Sequence, residues 1–455
     1  MSSRAAYGGG QKMENSVLSK DGQGRKTFLR YVMPSVLSYA LSGVYAIADG
    51  FFVGNSVGDI GLSTINIVYP VVTLMQALGT GIGMGGAVMW TVKRAEGHEE
   101  EAEGFLQNTL FSLFSASILM TGILFWALDP ALRFLGAEGE IFTMGKIYLE
   151  IMIAGSVFQI LATGIVPLIR NHGGASYAMK IMVAGFLTNI FLDYLFVWVM
   201  KGGMSGAAAA TILGEAVTMV GALFYLCKKR MLHTKLHLKG DGKRLLKTAK
   251  IGIAPFGLTL SPMLSLLLMN RFSIVYGGEK AVACYACISY ALTIVYLLMQ
   301  GVGDGSQPLF SRYYGEGRKK ELADTGRRAY LFAWFLAGIC ILFLWAFRDL
   351  VGPAFGSSPL VSRDVAEVLP IFLAGLIFYA FSRIATSYFY ATEQSLFSYI
   401  CVYAEPVFLF LLLLFVPHFG GQTGVWFSMV LSQVFTSAAA LGLQVYNRRK
   451  RMSDE

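Results

Sequence analysis

Long apolar blocks alternate with short polar segments along the whole chain. About twenty apolar residues cross a bilayer as a helix. With that length as the ruler, and with internal Gly, Pro and single polar residues tolerated, twelve spans are predicted. They lie near 28–53, 62–92, 105–128, 141–168, 178–200, 203–227, 249–275, 281–311, 328–347, 366–391, 394–416 and 421–446. The apolar residues come in unbroken runs, not in the every-second-residue alternation of a membrane barrel. The predicted class is therefore an all-α polytopic membrane protein. Residues 1–27 are polar, Gly-containing and basic, so no cleavable signal is expected and the first span directs insertion.

Composition and charge sharpen this picture. Only 14% of the 455 residues are charged, against about a quarter in a soluble domain. The formal charge is +9, but the basic residues sit in loops and tails between apolar blocks, which is a topology signal and not a nucleic-acid surface. Of 37 Lys and Arg, 29 fall on the side of the two termini and six on the other, with Arg271 and Arg383 inside spans. By the positive-inside rule both termini are expected in the cytoplasm of a cytoplasmic (inner) membrane protein. The five cysteines (Cys227, Cys284, Cys287, Cys340, Cys401) lie in or beside apolar segments. The CxxC of Cys284 and Cys287 reads as small core residues at helical spacing, not as a redox or metal site.

The chain also repeats itself at an offset of 220 residues. GIGMGGAVMW at 81 faces GVGDGSQPLF at 301, Glu96-Gly97 faces Glu316-Gly317, Asp129 and Gly136 meet Asp349 and Gly356, and Ala154-Gly155 meets Ala374-Gly375. With two residues of slippage, Gly202 and Gly206 meet Gly420 and Gly424. A constant register over more than a hundred residues indicates duplication. Six spans per half make the repeats parallel, so two six-helix lobes around a central cavity are expected. The division is an N-terminal arm (1–27), an N-lobe (28–227), a basic linker (228–248), a C-lobe (249–446) and a tail (447–455).

Ionisable groups inside spans are expensive and call for a function. The first half carries Asp49 in the first span, Tyr148 at the start of the fourth, Asn189 and Asp193 four residues apart in the fifth, and Thr211 and Glu215 at the same spacing in the sixth. Residues four apart share a helix face. Two carboxylates with amide and hydroxyl oxygens nearby make a hard-oxygen environment for Na⁺ or for exchangeable protons. The second half has Arg271, Asp304, Arg383 and Glu405 instead, at positions that do not match the first-half acids, so ion coupling is expected in the N-lobe alone. Glu405, beside Pro406, is expected either to contact a cationic substrate or to pair with Arg383. Gln76, Asn66 and Glu215 complete the candidate cavity residues. The glycines at 79, 81, 83, 85 and 86 lack the strand and the Lys-Ser/Thr of a phosphate loop and read as close helix packing.

Several segments together resemble the MATE (multidrug and toxic compound extrusion) family, in its bacterial DinF-like and MepA-like branch. They are ADGFFVGNSVG at 48–58, IRNHGGASYAM at 169–179, TNIFLDYLF at 188–196, GMSGAAAAT at 203–211 and GSQPLFSRYYGEGR at 305–318, and the likeness covers about 28–446. The resemblance implies a cation or proton site at Asp49, Tyr148, Asn189, Asp193 and Thr211, with Na⁺ as the metal held by Asp49, Asn189, Asp193 and Thr211. It also implies a monomer. Members that use a carboxylate on the seventh helix find no match, because that span has Pro255, Asn270 and Arg271 but no acid.

The expected function is secondary antiport: organic cations or other amphipathic toxic compounds leave in exchange for Na⁺ or H⁺, without a cofactor. The alternative is a flippase for a lipid-linked envelope precursor. A passive channel lacks a selectivity-filter repeat, and an enzyme lacks any nucleophile, metal cluster or cofactor motif.

Overall fold

A computed structural model describes residues 5–231 and 241–453, so 232–240 of the expected linker and both extreme ends lie outside the described residues. The elements are α1 (Ala5–Val57), α2 (Asp59–Ala95), α3 (Glu99–Trp126), α4 (Leu128–Phe134), α5 (Gly139–Ala154), α6 (Ser156–Asn171) and α7 (Ala175–Asp193). A π-helical segment (Tyr194–Val199) follows, then α8 (Gly203–Lys228), α9 (Gly242–Gly315), α10 (Lys319–Ala346), α11 (Arg348–Ala354), α12 (Pro359–Ala391) and α13 (Ser395–Ser453). No strand occurs among the described residues.

Two of these elements hold two spans each, and one expected span is divided between two elements. α9 has 74 residues, about 110 Å of helix at 1.5 Å per residue, several times the thickness of a hydrocarbon core. It breaks at Gly278, whose φ of 67° and ψ of −165° leave the helical region. α13 breaks in the same way at Gly421 (φ 54°). The fourth expected span is two helices, α5 and α6, bent by 55° at Gly155. With these divisions the described residues give twelve crossings, as the apolar pattern predicts.

The duplication is visible element by element. α3 (Glu99–Trp126) and α10 (Lys319–Ala346) begin and end 220 residues apart, as do α4 (Leu128–Phe134) and α11 (Arg348–Ala354). Left-handed glycines recur at the same offset: Gly58 and Gly278, Gly97 and Gly317, Gly136 and Gly356. Gly203 and Gly421 are 218 apart. Two differences between the halves bear on the site. Gly155 breaks the fourth span, whereas its counterpart Gly375 lies inside the continuous α12. The two-residue slip falls between Asp193 and Gly202, where the N-lobe winds its extra residues into the wider π turn. Such turns are rare and concentrate at functional sites.

The lobes meet backbone to backbone through glycine, at two crossings related by the repeat. A Cβ on Gly85 would lie 2.3 Å from the Thr248 carbonyl, and one on Gly81 3.0 Å from that of Gly252. Likewise a Cβ on Gly305 or Gly301 would lie 2.7 Å from the Cα of Val32 or Val36. Thus α2 crosses the first half of α9, and the second half of α9 crosses α1. Gly79, Gly83 and Gly86 pack inside the N-lobe, against Thr163, Gly164 and Thr109. The glycine series is therefore packing, as its lack of a phosphate-loop pattern implies. Cys284 and Cys287 are free and buried in the C-lobe core.

Candidate functional site

In the N-lobe, α7 and α8 approach closely where Gly185 and Gly214 leave no Cβ between the two backbones. A Cβ on Gly185 would stand 2.8 Å from the Gly214 carbonyl, and one on Gly214 2.9 Å from the Asn189 Cβ. This brings Asn189 Nδ2 to within 3.4 Å of Thr211 Oγ1. Asp193 ends α7 one turn further on and is fully buried (0% exposed). The bend at Gly155 seats α5 against α8, since a Cβ on Gly155 would be 2.3 Å from the Ile212 side chain. Tyr148, on α5, is buried with its hydroxyl beside Thr211 and near the Asp49 and Asp193 carboxylates. Asp49 is partly buried on α1 and close enough to Asp193 for the two carboxylates to interact.

All five residues that the resemblance implies thus converge on one point, drawn from α1, α5, α7 and α8. Their oxygens are mostly unanswered: both carboxylate oxygens of Asp193, Asp49 Oδ1 and Asn189 Oδ1 are buried with no hydrogen-bond partner. Buried polar oxygens are normally satisfied, and leaving them so is costly. A site built this way fits a proton or a small hard cation.

The repeat supplies an internal control. The counterparts of Asp49, Tyr148, Asn189, Asp193 and Thr211 are Met269, Val368, Leu409, Leu413 and Met429. All five belong to a single buried apolar cluster of the C-lobe. The same backbone scaffold therefore carries an oxygen-lined pocket in one lobe and an oily core in the other.

The C-lobe has its own polar group elsewhere. Half-buried Glu405 lies beside the Gln433 amide, and Gln433 Nε2 donates to the Tyr296 hydroxyl at 3.1 Å. The rings of Tyr296 and Tyr379 are 4.3 Å apart, and Tyr285 also faces Glu405. Gly375 makes room for Gln433, whose Oε1 would be 2.0 Å from a Cβ there. Arg383 does not form the expected pairing with Glu405. It is buried and donates from Nη2 to Asp304 Oδ1 at 3.0 Å. The reason is geometric: Arg383 on α12 faces Asp304 on α9, whereas Glu405 on α13 lies beside Gln433 of the same element. Of the two bases inside spans, Arg383 is thereby committed to a carboxylate and Arg271 is exposed. Arg271 and Arg383 therefore do not come together as a cationic site for a pyrophosphate.

The sequence profile of the MatE family matches residues 34–195 and 254–416, one match in each lobe. The chain belongs to the MATE family. Among curated relatives, the "Multidrug export protein MepA" of Staphylococcus aureus (strain MRSA252) is 22% identical over 433 residues, covering 94% of this chain and 95% of the relative. The fold of this MATE protein is shared with a solved multidrug resistance MATE family transporter of the MOP superfamily in an outward-facing conformation. That likeness has a TM-score of 0.88 and 21% identity, and covers 94% of this chain and 96% of that one. A MOP superfamily transporter from Pyrococcus furiosus, described as having a binding pocket of reverse polarity, matches at TM-score 0.88 and 22% identity, over 94% of this chain and 96% of that one.

Among the remaining candidates, Glu215 is half-buried one turn beyond Thr211, and Tyr45 senses it together with Asp49, Tyr148 and Asp193. Tyr45 is the site residue that sequence reasoning missed. Its signal was its place four residues before Asp49, on the same face of α1; it stacks on Phe186 at 5.3 Å. Gln76 and Asn66 are exposed on α2, outside the closed cluster. Gln76 is nevertheless the repeat counterpart of Tyr296, as Glu215 is of Gln433 at the 218 offset.

Proposed function

We propose that this MATE protein is a cation-coupled antiporter in which Na⁺ or H⁺ entering at Asp49, Tyr148, Asn189, Asp193 and Thr211 drives the outward movement of an organic cation or other amphipathic drug. The observation that carries the reading is the set of unpartnered buried oxygens on Asp49, Asn189 and Asp193. The multidrug export named for the MepA relative supports the substrate class. The face bearing the basic loops is cytoplasmic by the positive-inside rule, so the ion site lies in the outer half of the N-lobe.

Glu405 is the counter-charge for the drug. Among the described residues no arginine or lysine pairs with it, and the Tyr285, Tyr296 and Tyr379 side chains near it suit an amphipathic cation, which tyrosine faces attract. Coupling follows from differential binding: an ion that prefers one state of the N-lobe shifts the lobe toward it and lowers drug affinity by the same free energy.

The test is ethidium movement in proteoliposomes under an imposed Na⁺ gradient and then a pH gradient, with wild type and Asp193→Asn side by side. Gradient-driven movement in the wild type, lost in a folded Asp193→Asn protein, is the expected result and names the ion. Equal movement in both proteins overturns the assignment.

A further inference from the structure

The buried charges that ion and drug binding leave unused lie between the lobes. Asp304, on the second half of α9, is 3% exposed and accepts contacts from both halves of the protein. From the C-lobe, Arg383 donates to Oδ1 at 3.0 Å and Tyr390 to the same oxygen at 3.4 Å. From the N-lobe, the Tyr39 hydroxyl donates to Oδ2 at 2.5 Å, and Arg170 Nη1 lies 4.0 Å from it. The Arg170 guanidinium sits 5.4 Å over the Tyr39 ring, and Gln300 donates to the Tyr39 hydroxyl at 3.3 Å. Toward the basic face the contact continues as a reciprocal amide pair. Asn171 Nδ2 donates to Gln307 Oε1 at 2.8 Å, Gln307 Nε2 donates to Asn171 Oδ1 at 3.2 Å, and Thr91 donates to the same Asn171 oxygen at 2.7 Å.

This cluster occurs once in a duplicated fold. The repeat counterparts of Asp304, Arg383 and Tyr39 are Met84, Thr163 and Thr259, so only one of the two glycine crossings carries it. Two arginines also share one carboxylate, and Arg383 Nη1 is buried without a partner. A buried ion pair is a poor source of stability, because desolvation consumes its Coulombic gain; a register or switch role is its best-attested use. Here one carboxylate joins an arginine from each lobe, and only when the lobes are closed on that face.

We propose that Tyr39, Arg170, Asp304 and Arg383 form a latch that ties the lobes together on the basic face, and that releasing it is the step by which this face opens. α1 connects the latch to the ion site, since Tyr39 and Asp49 are ten residues, about 15 Å of helix, apart. The inference rests on the alternating-access part of the proposed function and not on which ion or drug is carried.

The test needs neither. In full-length protein with its five cysteines replaced by Ala or Ser, Ser35→Cys places a thiol in the α1–α9 crossing. There Ser35 is buried, with its Cβ 3.0 Å from the Cβ that Gly305 lacks. Labelling by a membrane-impermeant maleimide from the basic face is measured in vesicles, with Ser117→Cys, buried inside the N-lobe, as the control. Tyr39→Phe and Asp304→Asn are each expected to speed labelling at position 35 about tenfold, the factor that one lost charge-assisted hydrogen bond puts into a two-state equilibrium. Position 117 should not change. If Asp304→Asn does not fold, Tyr39→Phe decides alone, since it removes one hydroxyl and keeps the ring. Unchanged labelling at position 35, or equal acceleration at 117, overturns the latch.

Discussion

Glu393 stands 220 residues after Gly173 and shares its left-handed backbone, with φ of 59° against 88°. The turn between the fourth and fifth spans recurs between the tenth and eleventh, but only the first copy has the residue suited to it. Left-handed backbone costs an L-residue roughly 1–2 kcal/mol. Gly173→Ala is therefore expected to destabilise the protein by about that much, although its Cβ would meet only the Tyr31 hydroxyl at an ordinary 3.4 Å. Glu393→Gly should raise stability by up to about 1 kcal/mol, part of the relief being offset by glycine's greater freedom when unfolded. Thermal unfolding in detergent measures both, and a drop for Glu393→Gly would contradict the strain.

The glycine crossings make a sharper contrast. Gly85→Ala and Gly305→Ala drive a methyl into backbone that cannot step aside, at 2.3 Å from the Thr248 carbonyl and 2.7 Å from the Val32 Cα. Each should cost roughly 1–3 kcal/mol, the usual penalty of overpacking. Gly122 and Gly338 have nothing within 4 Å of the added Cβ, so alanine there should be neutral or stabilising by up to about 1 kcal/mol. Equal effects at all four positions would show that the crossings are not tightly packed.

The unequal lobes predict a trade between stability and transport. Asp193→Leu copies the C-lobe residue Leu413, which sits in an apolar cluster, and removes two buried oxygens that have no partner. The variant should unfold at a temperature equal to or above that of wild type while losing ion-driven ethidium movement. The reverse change, Leu413→Asp, buries an unpaired acid and should cost at least ~2 kcal/mol. A strongly destabilised Asp193→Leu would mean that the carboxylate serves the fold.

On the basic face, Glu316 is held by Arg312 at 2.7 Å and Arg318 at 3.0 Å. Partial burial pushes its carboxyl up, but the two arginines outweigh that and hold it below its ordinary value of 4.5. A carboxylate lowered in the folded state adds stability that is complete above the unfolded value and is lost as pH falls through the folded one. Removing it by Glu316→Gln should cost no more than about 1 kcal/mol at neutral pH, since the pairs are solvent-screened, and the difference should vanish in acid. Stability curves of both proteins from pH 7 to pH 3 check this, and a gap that widened in acid would refute it.

Much of the molecule is legible in the order of its residues. Twelve apolar blocks of spanning length dictate twelve crossings, because a backbone in lipid must satisfy its own hydrogen bonds. The 220-residue register fixes two equivalent halves, down to the paired glycines at 58 and 278. The spacing of Asn189 and Asp193 places both on one face of one helix. These are local or periodic properties, and a linear pattern carries them. Tertiary structure decided what depends on contacts between distant segments. It joined Arg383 to Asp304 and left Glu405 to Gln433 and the tyrosines, since partnership between charges depends on which helices face each other. It bent the fourth span at Gly155, beside Ile212, and left Gly375, beside Gln433, inside one continuous helix. And it gathered Tyr39, Arg170, Asp304 and Arg383 from four helices into one contact between the lobes, a relationship that no single stretch of sequence contains.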